Sequence, residues 1–197
     1  MSIRFAAAVF LVAVSASPAF AHLDPAEHGS FAAGFTHPVF GLDHVLAMIA
    51  VGLWAALVGG RAIWLLPTVF VGAMLSGFAL SLAGVPIPYV EPVILASVII
   101  LGLIVAAAVN LPNWLSVALV AIFGLCHGHA HGGEMGNAGW LGYAAGFALA
   151  TVILHAAGVL IGHGANVAAG RDGPVAKTII RAIGAATAAG GVLLVVS

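Results

Sequence analysis

Six apolar runs, joined by short connectors, decide what this chain can fold into. They lie near residues 39–57, 62–82, 93–109, 114–126, 140–161 and 179–196. A transmembrane helix needs about 20 predominantly apolar residues. The fourth run falls short of that unless its helix continues into the histidines after Cys126. Lipid offers no hydrogen-bond partners, so every backbone N–H and C=O in these runs must be satisfied internally, and the runs fold as helices. The connectors carry turn residues, among them Gly59-Gly60, Pro86, Pro88 and Pro112. Composition then settles the solvent. Only 6% of residues are charged and 63% are hydrophobic, whereas a soluble domain carries about a quarter charged residues. The expected fold is an all-α membrane protein whose environment is the bilayer. No basic patch exists to bind nucleic acid, and the single Cys126 excludes an intrachain disulfide.

Residues 1–21 read as a cleavable signal peptide. Arg4 supplies a positive start, Phe5 to Val14 an apolar core, and Ala19-Phe20-Ala21 a small-x-small cleavage site. The apolar core is short for a span. Residues 22–197 then form one domain, a six-helix transmembrane bundle with its N-terminus outside. Basic residues agree with that orientation. Arg61 lies in the first connector, and Arg171, Lys177 and Arg181 lie in or beside the fifth, while the second and fourth carry only Glu91 and Glu134. All the basic residues after Arg4 thus fall on one side, the cytoplasmic one. Gly142 and Gly146, Gly158 and Gly162, Gly184 and Ala188, and Ala186 and Gly190 are four apart, as closely packed membrane helices require.

Chemistry concentrates in two stretches. The first, HPVFGLDHVLAMIAVGLW from His37 to Trp54, puts His37, Asp43 and His44 at the head of an apolar run. Pro38 suits the first turn of a helix, which places His37 about at its cap. His37 and His44, seven apart, then share a face, with Met48 one turn beyond His44. The second stretch is FGLCHGHAHGGEMG. If the helix persists through it, His127, His131 and Glu134 share a face and His129 points away. The topology brings both groups to the external side. Clustered imidazoles and carboxylates at a membrane edge are ligands for a divalent transition metal, and nitrogen and oxygen donors fit nickel, cobalt or zinc better than calcium. Ligands must be deprotonated to bind, so capture should weaken as pH falls through the histidine range. Two histidines lie deeper. His155 sits midway along the fifth run, on a metal or proton path or bonded to Thr151, and His163 sits near its cytoplasmic end. If cleavage follows Ala21, then His22, Asp24, Glu27 and His28 form an external tail that either chelates metal or is merely mobile.

These residues resemble the HupE/UreJ family of bacterial nickel permeases. His37-Pro38, Gly41, Asp43-His44, Met48 and Val51-Gly52-Leu53-Trp54-Ala55 are similar to its first-helix motif. His127-Gly128, Ala130-His131-Gly132 and Glu134 are similar to its second. Tyr143, Gly146-Phe147, Ala150-Thr151, His155 and Gly158 look like its fifth-helix pattern, so the resemblance covers nearly the whole chain. It implies a secondary permease of the bacterial inner membrane, not an enzyme. The cargo would be Ni²⁺ (or Co²⁺), with no permanent cofactor, handled by His37, Asp43, His44, His127, His131, Glu134 and His155. The expected partners are the bilayer and the metal ion, with assembly into a homo-oligomer left open. Competing classes are an intramembrane histidine-cluster metalloenzyme and a metal sensor that binds without transporting.

Overall fold

The computed structural model describes residues 30–135, 139–168 and 173–197. Among them are seven helices and no strands: α1 (Ser30–Phe40), α2 (Leu42–Val58), α3 (Ala62–Leu82), α4 (Val90–Ala107), α5 (Asn113–Glu134), α6 (Trp140–Ala168) and α7 (Pro174–Val196). Helices α3 to α7 are each long and apolar enough to cross a membrane, and α1 with α2 meets that test as a pair bent by 78°. The chain is a multi-pass membrane protein. The region expected as signal peptide and the tail with His22, Asp24, Glu27 and His28 lie outside the described residues.

One expectation about the helices is corrected and one condition is met. The first motif does not open a helix at Pro38. Pro38 lies inside α1, and the break comes three residues later at Gly41, whose extended backbone (φ −76°, ψ 111°) caps α2. Proline has no N–H to bond the carbonyl one turn back, and glycine is a weak helix former, so the helix yields there. The fourth run meets the condition for a full span. Its helix continues through the whole histidine stretch to Glu134.

Helix pairs α3–α5, α4–α7, α1–α6 and α2–α6 hold the bundle together. Glycines set several of these approaches. A Cβ at Gly128 would meet the backbone of Met74, and one at Gly124 would meet that of Phe70, so α5 lies directly on α3. The expected small-residue pairs serve likewise: Gly142 and Gly146 receive Ser30 and Phe31 of α1, Gly158 receives Gly52, and Gly184 receives Ala106. The core between the helices holds Met48, Leu53, Trp54, Phe70, Met74, Leu101 and Phe147. Large apolar side chains such as Ile122, Val152, Leu160 and Leu193 stay exposed, as a lipid-facing surface requires. Exposed aromatics stand toward both ends of the helices, Trp64 and Trp114 at one and Tyr89 and Trp140 at the other, the arrangement of interfacial belts.

Chain direction fixes which groups share an end. Helix α2 begins at the first histidine motif and ends beside Arg61, while α5 begins near Arg61 and ends at the second motif. One cavity of about 110 Å³ is lined by Val58, Arg61, Asn113 and Ser116, so those termini meet. Arg181 donates from Nε to the carbonyl of Ala106 (2.7 Å), tying the start of α7 to the end of α4 at this same end. Arg61, Lys177 and Arg181 therefore gather opposite the histidine motifs.

A candidate metal centre

The end of α1, the start of α2 and the last two turns of α5 converge. Continuing α5 through the histidine stretch puts His127, His131 and Glu134 on one face, and the bend at Gly41 turns His37 toward them. Glu134 Oε2 lies 3.0 Å from His37 Nε2 and 3.3 Å from His131 Nδ1. One ligand atom from each of His37, His131 and Glu134 falls within 4.8 Å of the others. This triad stands at the mouth of the bundle: the Glu134 side chain is 48% exposed and that of His37 29%, whereas His131 is fully buried.

Behind the triad, hydrogen bonds select the tautomers of two further imidazoles. A carbonyl only accepts, so His127 Nδ1 must carry the proton it donates to Phe123 O (2.8 Å). Its Nε2 then presents a lone pair. His44 Nδ1 lies 2.8 Å from Asp43 Oδ1 and donates to that carboxylate, again leaving Nε2 as the free acceptor. An imidazole held through one nitrogen by a carbonyl or carboxylate, with the other nitrogen free, is the usual state of a metal-binding histidine. Asp43, expected among the ligands, thus sits against His44 and orients it. Gly41 is needed beside this pair, because a Cβ there would press to 3.1 Å on both Asp43 Oδ1 and His44 Nδ1.

The buried nitrogens go otherwise unanswered. Seven buried side-chain nitrogen or oxygen atoms among the described residues lack a hydrogen-bond partner. Six belong to His44, His127, His131 and His155, and the seventh is Trp54 Nε1. Leaving a buried polar group unsatisfied costs about 1–3 kcal/mol, so concentrating these atoms in one cluster marks a site rather than ordinary core.

His155 lies deeper, on α6, with its ring edge-on to Phe70 at 5.0 Å between centroids. Phe70 in turn packs against His127 at 5.4 Å. His155 does not bond to Thr151, because the Thr151 hydroxyl donates to Met74 Sδ (3.5 Å) and both His155 nitrogens stay unpartnered. The remaining candidates stand apart. His129 points away, as its register predicts, and donates from Nε2 to Val85 O (2.8 Å). His163 is exposed near the end of α6. Sequence spacing gave no reason to include Glu91, 43 residues before Glu134. Folding brings it, in the first turn of α4, within electrostatic reach of Glu134, Asp43 and His44. Its isolation as the only acidic residue of its connector is the one sequence signal that could have found it.

Comparison with known proteins identifies the family of the chain. The family profile described as HupE / UreJ protein matches residues 9–194. The protein HupE of Rhizobium leguminosarum bv. viciae is 42% identical over 189 residues, which span 94% of this chain and 95% of that one. No solved structure matches. The chain therefore belongs to the HupE/UreJ family, a membrane family of transporter type and not of enzymes.

Proposed function

We propose that this chain is a permease of the bacterial inner membrane that takes up divalent nickel, with His37, His131 and Glu134 as its capture ligands. The observation that carries the reading is the convergence of those three side chains, from helices far apart in sequence, within 4.8 Å at the mouth of the bundle. The donors are nitrogen and oxygen, which suits Ni²⁺ and Co²⁺. Residues 1–21 are removed as a signal peptide, the bent pair α1–α2 acts as the first of six spans, and the mature N-terminus lies outside. Arg61, Lys177 and Arg181 then face the cytoplasm, and the metal cluster faces the periplasm. His44 and His127 receive the ion from the capture ligands, and His155 continues the route inward.

Radioactive nickel accumulation in cells expressing the chain tests this reading, against Glu134→Gln at equal membrane abundance. Glutamine keeps the size of the side chain and removes its charge. We expect accumulation in the wild type, most of it lost in the variant, with excess cobalt competing more strongly than calcium. A folded wild-type chain that accumulates no nickel sinks the reading, and metal binding without flux would make the protein a sensor.

Asp43→Ala tests the orienting role of that carboxylate. Losing such a partner costs about 10–100-fold in metal affinity, so nickel affinity measured by titration of the purified chain should fall within that range. Unchanged affinity would mean that the Asp43 carboxylate does not orient His44 for the metal.

A further inference from the structure

The imidazoles form a bent line of successive ring contacts that turns through about a right angle at His131. Ring centroids are 4.7 Å apart for His37 and His131, 4.5 Å for His131 and His44, and 4.9 Å for His44 and His127. Two imidazoles bound to one ion at about 2.1 Å hold their centroids about 4.5 Å apart in cis-octahedral geometry and about 5 Å apart in tetrahedral geometry. Ring spacing therefore permits each successive pair to share an ion, and in the outer group of His37, His131 and Glu134 the ligand atoms themselves lie within 4.8 Å of one another. His37 and His44 are not neighbours in this line, at 6.3 Å. Beyond His127 the line is interrupted by the ring of Phe70, which offers no ligand.

We propose that the cluster is two overlapping metal stations, an outer one of His37, His131 and Glu134 and an inner one of His44 and His127, with His131 serving both. The inner station is assigned by its free atoms. Nε2 of His44 and Nε2 of His127 are buried lone-pair nitrogens without a partner, each set in that tautomer by the bond at Nδ1. His131 is placed to serve either station, since its ring packs against both His37 and His44, and neither of its nitrogens has a hydrogen-bond partner. A neutral imidazole has one lone pair. His131 can therefore ligate in only one station at a time, and the cluster holds one ion per chain in either of two positions. The outer position has a carboxylate and water access, while the inner one has nitrogen donors and is closed to water. An ion passing inward exchanges Glu134 and His37 for His44 and His127 without ever losing all its protein ligands. This arrangement rests on the permease reading for its cargo, but its test does not depend on transport.

The test uses the full-length chain purified in detergent, with Co²⁺ as the probe. Stoichiometry and affinity come from equilibrium dialysis, coordination from the visible ligand-field bands, and accessibility from the rate of removal by EDTA. The wild type should bind one Co²⁺. A double variant, His37→Ala with Glu134→Gln, should still bind one Co²⁺, with affinity lowered about 10–100-fold, nitrogen-type bands and slow removal. His127→Ala should bind one Co²⁺ with bands shifted toward oxygen donors and faster removal. Should His127→Ala not fold, His44→Ala, nearer the mouth, carries the same expectation. The proposal is overturned if the double variant binds no Co²⁺, which makes the cluster a single site. It is equally overturned if the inner variants keep the wild-type bands and removal rate. Either result leaves the permease standing if the wild type accumulates nickel, and a wild type that accumulates nickel but binds no Co²⁺ overturns the stations alone.

Discussion

Replacing His131 with alanine is expected to bring nickel accumulation down to that of cells lacking the chain. The His131 side chain joins the outer members of the cluster to the inner ones. Its Nδ1 lies 3.3 Å from Glu134, and its ring packs on His37, His44 and Phe147. Loss of an orienting neighbour alone costs about 10–100-fold in metal affinity, and loss of a ligand shared by every step should exceed that. A packing effect comes with it, because the ring is fully buried against Phe147 at 4.0 Å, and truncating a buried ring leaves a cavity. His131→Phe separates the two effects, since it restores bulk without a nitrogen. Both variants should be inactive, with His131→Phe nearer to wild-type thermal stability in detergent. Nickel accumulation by His131→Phe would show that the imidazole is not a ligand.

The second large effect is expected from a single methyl group at Gly128. An alanine Cβ there would run into the backbone of Met74, and backbone cannot move aside as the end of a flexible side chain can. Overpacking a tight contact typically costs about 1–3 kcal/mol, and here α5 must also shift away from α3, carrying His127 and His131 with it. Gly128→Ala should therefore lower the thermal midpoint in detergent and weaken nickel binding together. Gly72→Ala on the partner helix α3 is the matched control, because nothing lies within 4 Å of a Cβ at that position. It should leave the midpoint unchanged or raise it, since alanine is favoured over glycine in a helix by about 1 kcal/mol. Equal stability of the two variants would show that α3 and α5 do not approach as closely as described.

Much of this protein is legible before any folding is considered. Length and apolarity of the runs, with the requirement that lipid-exposed backbone bond to itself, dictate helices and a multi-pass chain. The motifs around His37 and His127 carry the family resemblance, which the match over residues 9–194 bears out. The register of α5 was also readable, because a helix places residues three and four apart on one face whatever surrounds it. His127, His131 and Glu134 do share that face, and His129 does point away.

Other features depend on contacts between residues distant in the chain. The bend at Gly41 is one, since proline and glycine weaken a helix there without saying how far it turns, and the seating of α1 on Gly142 and Gly146 of α6 supplies a partner for the bent conformation. The relation of Asp43 to His44 is another: residue types allow ligand or orienting partner alike, and the 2.8 Å contact at Nδ1 separates them. Glu91 joins the electrostatic neighbourhood of the cluster because α4 begins beside it, which no local pattern encodes. Helical periodicity and hydropathy are local quantities, and they state what each segment can be. Which nitrogens are left facing one another, and in what order from the mouth inward, is set by how α2 and α5 are held by α3 and α6, and that is a property of the packed bundle.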